Sequence, residues 1–240
     1  MELTIKTMKR RFPFLPVILI LSVCLAGCKK DKGDPPLLPT YESMIIDFSN
    51  FSSASKSAVP EPGVKGVNSS NWEFASKVAR GWEALINSTM EVPIASIKIT
   101  SAYDPGYLSE KTWEWSYSFT AAGQSYKAKL TGEIRSTDVL WKMYVTKEGP
   151  GGYTDFLWFE GTSAADGTSG EWQVKESNAS PVEIFRINWT ASGTDVNSVN
   201  YEYVKSGNLN GSYIKYGPLS GSLTRLSNLI KVGRGWSWLA

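Results

Sequence analysis

Thr112-Trp113-Glu114-Trp115-Ser116-Tyr117-Ser118-Phe119 alternates large aromatic side chains with small or charged ones. A period of two belongs to an extended strand with one face against a core and the other in water. Working outward, Tyr126, Ala128, Leu130 and Ile134 alternate with Lys127, Lys129, Thr131 and Glu133. Val139, Trp141, Met143 and Val145 follow at the same spacing. Phe156-Leu157-Trp158-Phe159 is apolar on both faces, and further strands are predicted at 171–176, 182–190, 198–204 and 212–216. Gly123, Gly149-Pro150-Gly151-Gly152, Asp166-Gly167 and Gly193-Thr194 punctuate these runs. Such short gaps suit hairpins and leave no room for a helical crossover between parallel strands. The expected fold is mainly β: an antiparallel up-and-down meander, either a barrel or a strongly curved sheet, with one or two N-terminal helices packed on it.

Upstream of the strands the period changes. Ser70-Asn71-Trp72-Glu73 has the form of a capping box. Phe74, Val78, Leu85 and Thr89, with Trp82 beside them, recur at helical spacing and predict a helix over about 71–89. Gly81 weakens that helix and implies close packing there. Glu91 to Thr100 reads either as a second helix with Pro93 in its first turn or as a strand start at Ile97 and Ile99. Ser52 to Ser70 has no periodicity and reads as a loop. Tyr41 to Phe51 carries Met44-Ile45-Ile46 and Phe48, an early strand or a docking segment. Residues 217–240 hold one or two closing strands, although Gly233 to Trp238 fits no period.

The chain opens differently. Lys6, Lys9, Arg10 and Arg11 form a positive segment, and Phe12 to Leu25 is apolar but too short for a stable transmembrane helix. That is the pattern of a secretory signal peptide, with Met8 as an alternative start. Leu25-Ala26-Gly27-Cys28 follows directly and resembles the lipobox of bacterial lipoproteins. The resemblance implies cleavage before Cys28, a diacylglycerol thioether on its sulfur and a further acyl chain on its amine. Each buried methylene of such chains adds roughly 0.8 kcal/mol of membrane affinity. Lys29-Lys30-Asp31-Lys32-Gly33-Asp34 is similar to the charged export signal of surface lipoproteins in the Bacteroidota, with lysines interrupting the acidic pair. The expected organisation is a signal peptide at 1–27, a lipidated flexible tether at 28–40 and one β-rich domain at 41–240. That domain vaguely resembles the many β-rich lipoproteins of the same lineage, which implies no activity.

Composition narrows the chemistry. Removing residues 1–28 takes four of the 25 basic residues and one of the 23 acidic ones, leaving 21 against 22. A nearly neutral chain without a basic run has no electrostatic footprint for nucleic acid. Cys24 leaves with the signal, Cys28 is the lipid attachment site, and histidine is absent. Disulfides, Cys/His zinc sites, histidine-ligated haem and imidazole-assisted nucleophiles are thereby excluded from the mature chain. The glycines at 149–152 lack the strand, lysine and helix of a phosphate loop, and no cofactor is expected.

Ten tryptophans bear on ligands. Trp113, Trp115, Trp141 and Trp158 fall at alternate strand positions, where burial in the core is expected. Trp172, after a glycine-rich turn, and Trp236 and Trp238, in the tail, are the expected exposed rings on which a sugar could stack. Asp155, Glu160, Asp166, Glu171 and Glu176 cluster in sequence and invite comparison with the carboxylate pair of a glycosidase. They lack the alternating oxygen ligands of a calcium loop. Three functions follow in order: a non-enzymatic binding or structural envelope protein anchored in the outer membrane, whose aromatic interior would hold an apolar ligand if the sheet closes into a barrel; a surface glycan-binding module; and a carboxylate-based glycoside hydrolase.

Overall fold

The computed structural model describes residues 32–48, 69–218, 226–232 and 235–239; the side chains of 69–73, 75, 218 and the last two strands lie outside that description. Eleven strands run in chain order: β1 (Gly106–Ser109), β2 (Thr112–Ala121), β3 (Gln124–Ile134), β4 (Asp138–Lys147), β5 (Tyr153–Ala164) and β6 (Ser169–Lys175). Then come β7 (Glu183–Ser192), β8 (Asp195–Tyr203), β9 (Ser212–Pro218), β10 (Leu226–Val232) and β11 (Gly235–Leu239). Spatial order equals sequence order, and every neighbouring pair is antiparallel. This is the meander that the alternation predicts. Strand β1 is additional, because four residues are too few to show a period.

Helix α1 (Ser69–Lys98) runs close to β2 near one edge of the sheet and to β11 at the other. The sheet therefore curls around the helix. Among the described residues its edge strands are not bonded to each other, so the curved sheet, not the closed barrel, is the outcome. The aromatic side of the alternation faces the helix: Trp115, Trp141, Phe159, Trp172, Phe185, Trp189 and Tyr201 are all buried. Trp158 and Phe159 are consecutive yet both buried because β5 is bulged: Phe159 faces Met143 while Leu157 faces Tyr144. The bulge accounts for a run that is apolar on both faces.

The helix departs from its sequence reading in three ways. It is one helix of 30 residues with Pro93 inside it, so no second α-helix and no strand begins at 91–100, and a 3₁₀ turn, Thr100–Ala102, follows it. Its buried stripe is Ala79, Trp82, Ile86, Met90 and Ile97, whereas Phe74 is exposed and Val78 and Leu85 are only half-buried. Trp82, nominally beside the stripe, is its centre and packs on Phe185 at 6.4 Å. Gly81 faces open space, not a close neighbour. At the helix end, Tyr117 on β2 donates its hydroxyl to the Ser96 carbonyl at 2.7 Å and pairs with the Thr100 hydroxyl at 2.6 Å. The side chains of the proposed capping box lie outside the described residues, as does 52–68 of the segment read as a loop to Ser70; Ser69 and Ser70 already belong to the helix.

The segment read as the end of a flexible tether is docked. Pro36 and Pro39 are buried, and Pro36 lies against Gly132 and Trp141. A single 3₁₀ turn, Tyr41–Met44, and the extended residues to Phe48 then lay Met44, Ile46 and Phe48 onto the core. Trp172 donates its indole N–H to Ser43 Oγ at 3.0 Å, and Tyr201 donates to the Met44 carbonyl at 2.5 Å. Tyr41–Phe48 is thus the docking segment, not a strand. Any free tether ends near the boundary at Gly33, because prolines suit a chain packed in extended form as well as one in solvent.

One cross-strand row explains how so many indoles fit. Trp113 faces Gly132, Gly132 faces Trp141, Trp141 faces Gly161 and Gly161 faces Trp172. On the next row Gly170 faces Trp189. Directly paired Cβ atoms are only about 5 Å apart, so a glycine opposite lets each flat ring lie over its neighbour's backbone.

Candidate functional site

The wet face changes character along the sheet. On β3 and β4 it carries Lys127, Lys129, Glu133 and Lys142. On β7 and β8 it carries Asn188, Thr190, Ser198 and Asn200, neutral groups that both donate and accept hydrogen bonds. The register lines these up. Thr162, Glu171, Asn188, Asn200 and Lys215 form one continuous row across β5 to β9. Ser169, Thr190 and Ser198 form the row beside it, with the Thr190 and Ser198 hydroxyls 2.8 Å apart. Arg186, Glu202 and Tyr213 form the row on the other side. Except for Arg186, these residues line an open hollow of about 920 Å³.

Charge in the hollow is mixed. Arg186 sits 3.9 Å from Glu171 and 3.1 Å from Glu183, and Gln173 donates to Glu171 at 3.1 Å. Of the five acidic residues grouped in sequence, Glu171 alone lines this hollow. Asp155 lines a smaller one of about 460 Å³ on the wet face of β2 to β5, where it accepts from Lys129 at 2.8 Å. Asp166 accepts from Thr168 in the β5–β6 turn, which holds its carboxyl below the usual range. The sequence cluster is spread over the sheet, except that Glu160, opposite Gln173, is a diagonal neighbour of Glu171 on the same face of β5 and β6. Glu202 shares the hollow with Glu171.

Glu176, just after β6, accepts from Lys205, just after β8, with both carboxylate oxygens at 2.7 Å from Nζ. The ammonium, aided by Ser180, lowers the Glu176 pKa, and Glu176 in turn raises that of Lys205. A lowered carboxyl pKa stabilises the fold above the unfolded value, near 4.3, and the contribution is lost as pH falls through the folded value. The raised lysine keeps its share until pH climbs past the ordinary value of about 10.4 and through the folded one. Both side chains are about one-third exposed, so solvent screens the pair and the effect is small. Denaturant titrations should find wild type more stable than Glu176→Gln at pH 7, with the gap closing as pH falls through the folded Glu176 value.

The largest phenol shifts have a different cause. Burial raises Tyr117 and Tyr201, and pushes Tyr153 up to about 12. These groups stabilise the core and are not poised to move protons.

The three tryptophans expected to be exposed separate. Trp172 is fully buried, its N–H committed to Ser43, and it offers no face to a ligand. Its place after a turn misleads because the docked N-terminal segment covers it. Side chains of Trp236 and Trp238 lie outside the described residues, but their register positions do not. Trp238 pairs with Leu229, which pairs with Lys215; Trp236 pairs with Lys231, which pairs with Tyr213. Both positions extend rows of the hollow. Sequence reasoning missed Asn188, Asn200 and Lys215 because polar residues on a wet face look like ordinary solvated ones. The available signal was the switch from charged groups to amides and hydroxyls.

Among the described residues no group of three or more Cys, His, Asp and Glu could hold a metal ion, and no helix is long and apolar enough to cross a membrane. Comparison with protein-family models, with curated proteins and with solved structures finds no match for this chain.

Proposed function

We propose that this chain is a non-enzymatic lipoprotein of the outer membrane, held by acyl chains on Cys28, and that it binds a glycan in the polar hollow on β5 to β9. The observation that carries the glycan reading is the row Thr162, Glu171, Asn188, Asn200 and Lys215. It places one polar side chain on each strand, at intervals of about 4.8 Å, close to the length of one hexose unit. An oligosaccharide lying across the strands would meet a hydrogen-bonding group at each residue. Amides and hydroxyls suit neutral sugars, because each serves as donor and acceptor to ring hydroxyls. An apolar ligand finds less support, since the helix-facing side is filled by buried aromatic rings.

The test is a glycan array with the detergent-solubilised mature protein, followed by calorimetry on any hit. Each lost hydrogen bond is worth about 1 kcal/mol, so Asn188→Ala with Asn200→Ala is expected to weaken binding about tenfold or more. Thermal unfolding should stay unchanged, because neither amide supports the core. Absence of binding to any neutral oligosaccharide, or affinity untouched by the double change, rejects the glycan reading. Hydrolysis of a bound glycan that disappears in Glu171→Gln or Glu202→Gln would move the protein to the hydrolase class.

A further inference from the structure

We infer that the end of the sheet formed by the β1–β2, β3–β4, β5–β6 and β7–β8 hairpins rests against lipid headgroups, leaving the hairpins at the opposite end away from the membrane. The inference depends on the reading of Cys28 as the lipidated residue. It follows from where the chain enters the fold. Pro36 packs on Gly132, two residues from the β3–β4 turn, and a Cβ on Gly167 in the β5–β6 turn would meet Leu37 at 2.8 Å. From there the segment runs inward to Ser43 against Trp172 and Met44 against Tyr201, in the middle of the sheet.

Reach decides the orientation. Eight residue steps separate Cys28 from Pro36. Fully extended they span about 26–29 Å, whatever their path, and a flexible chain of that length averages only about 16 Å. Along β3, Gly132 to Gln124 is also eight steps, or about 27 Å of strand. Placing the far hairpins on the bilayer would therefore need the tether stretched to its limit. Placing the near hairpins there needs no extension. Their turns fit such a surface: Glu110-Lys111, Arg135-Ser136 and Asp166-Gly167 offer both signs of charge to headgroups, and exposed Leu108 on β1 adds an apolar group beside them. Exposed Leu37 lies beside them.

The experiment uses the acylated mature protein in phosphatidylcholine vesicles doped with a nickel-chelating lipid. Cys28 is the sole cysteine after cleavage and its sulfur is blocked, so one introduced cysteine takes one nitroxide. Ser136→Cys and Asp195→Cys mark the near end; Gln124→Cys and Ser206→Cys mark the far end; Lys142→Cys marks the flat of the sheet. Lipid-borne nickel is expected to speed relaxation at least threefold more at the near-end labels than at the far-end ones. A flat or inverted gradient, or a label at 142 as strong as that at 136, overturns the orientation. Intact-mass measurement of the same sample separates the two claims. Acylated Cys28 with a flat gradient refutes the orientation alone, whereas an unmodified Cys28 removes the anchor and the orientation with it.

Discussion

Gly161→Ala is expected to destabilise the protein by ~3 kcal/mol or more, although it adds one methyl group. A Cβ at this position would run into the Glu171 carbonyl oxygen and lie 2.6 Å from the Trp172 ring. The oxygen belongs to the backbone of the adjacent strand, so no rotamer change can relieve the contact. Relief requires β5 and β6 to separate, breaking the ladder between Phe159–Val174 and Ser163–Gly170. Gly132→Ala offers a graded comparison, since the atoms nearest its Cβ belong to the Trp141 and Pro36 side chains and not to backbone. Gly81→Ala should do the opposite. Its Cβ enters open space within a helix, where alanine is favoured by about 1 kcal/mol. Guanidinium denaturation of the three variants should give the order Gly81→Ala, wild type, Gly132→Ala, Gly161→Ala. A Gly161→Ala midpoint equal to wild type would show that the tryptophan–glycine row is not sterically tight.

That row also marks the limit of what the sequence discloses. Strands β2 to β9 are legible because their two faces see different solvents, and the difference is written at every second residue. Pairing order is legible too, since short turns join only neighbours. The partnership of Gly161 with Trp172 is not, because it depends on register, and a bulge at Trp158 shifts register within the same strand. Helix α1 is found while its buried stripe is misplaced. Its apolar residues cover a wide arc, and the sheet that curls around it selects Trp82 and Ile86 over Phe74. The hollow on β5 to β9 shows a similar boundary. Each of its residues is an unremarkable polar position alone; only lateral stacking of five strands gathers Glu171, Asn188, Asn200 and Lys215 into one row.

The segment following Gly33 is where local reading fails most, and it carries the second large effect. Ser43 and Trp172 are 129 residues apart, and Met44 and Tyr201 are 157 apart. Trp172→Ala should cost about 3–5 kcal/mol, from the lost burial of an indole and the cavity left behind. Tyr201→Phe keeps the ring and leaves the Met44 carbonyl without its phenol, which predicts a smaller loss of about 1–3 kcal/mol. If the segment is held as one docked unit, these changes are coupled. Trp172→Phe and Tyr201→Phe together should then cost less than the sum of the two single changes, because the first already loosens what the second releases. Both variants should also become sensitive to elastase near Ile45 and Ile46 before global unfolding sets in. Strict additivity, with cleavage appearing only at the global midpoint, would mean that each bond secures its own strand. The docked segment would then contribute packing without acting as a cooperative strap across the core.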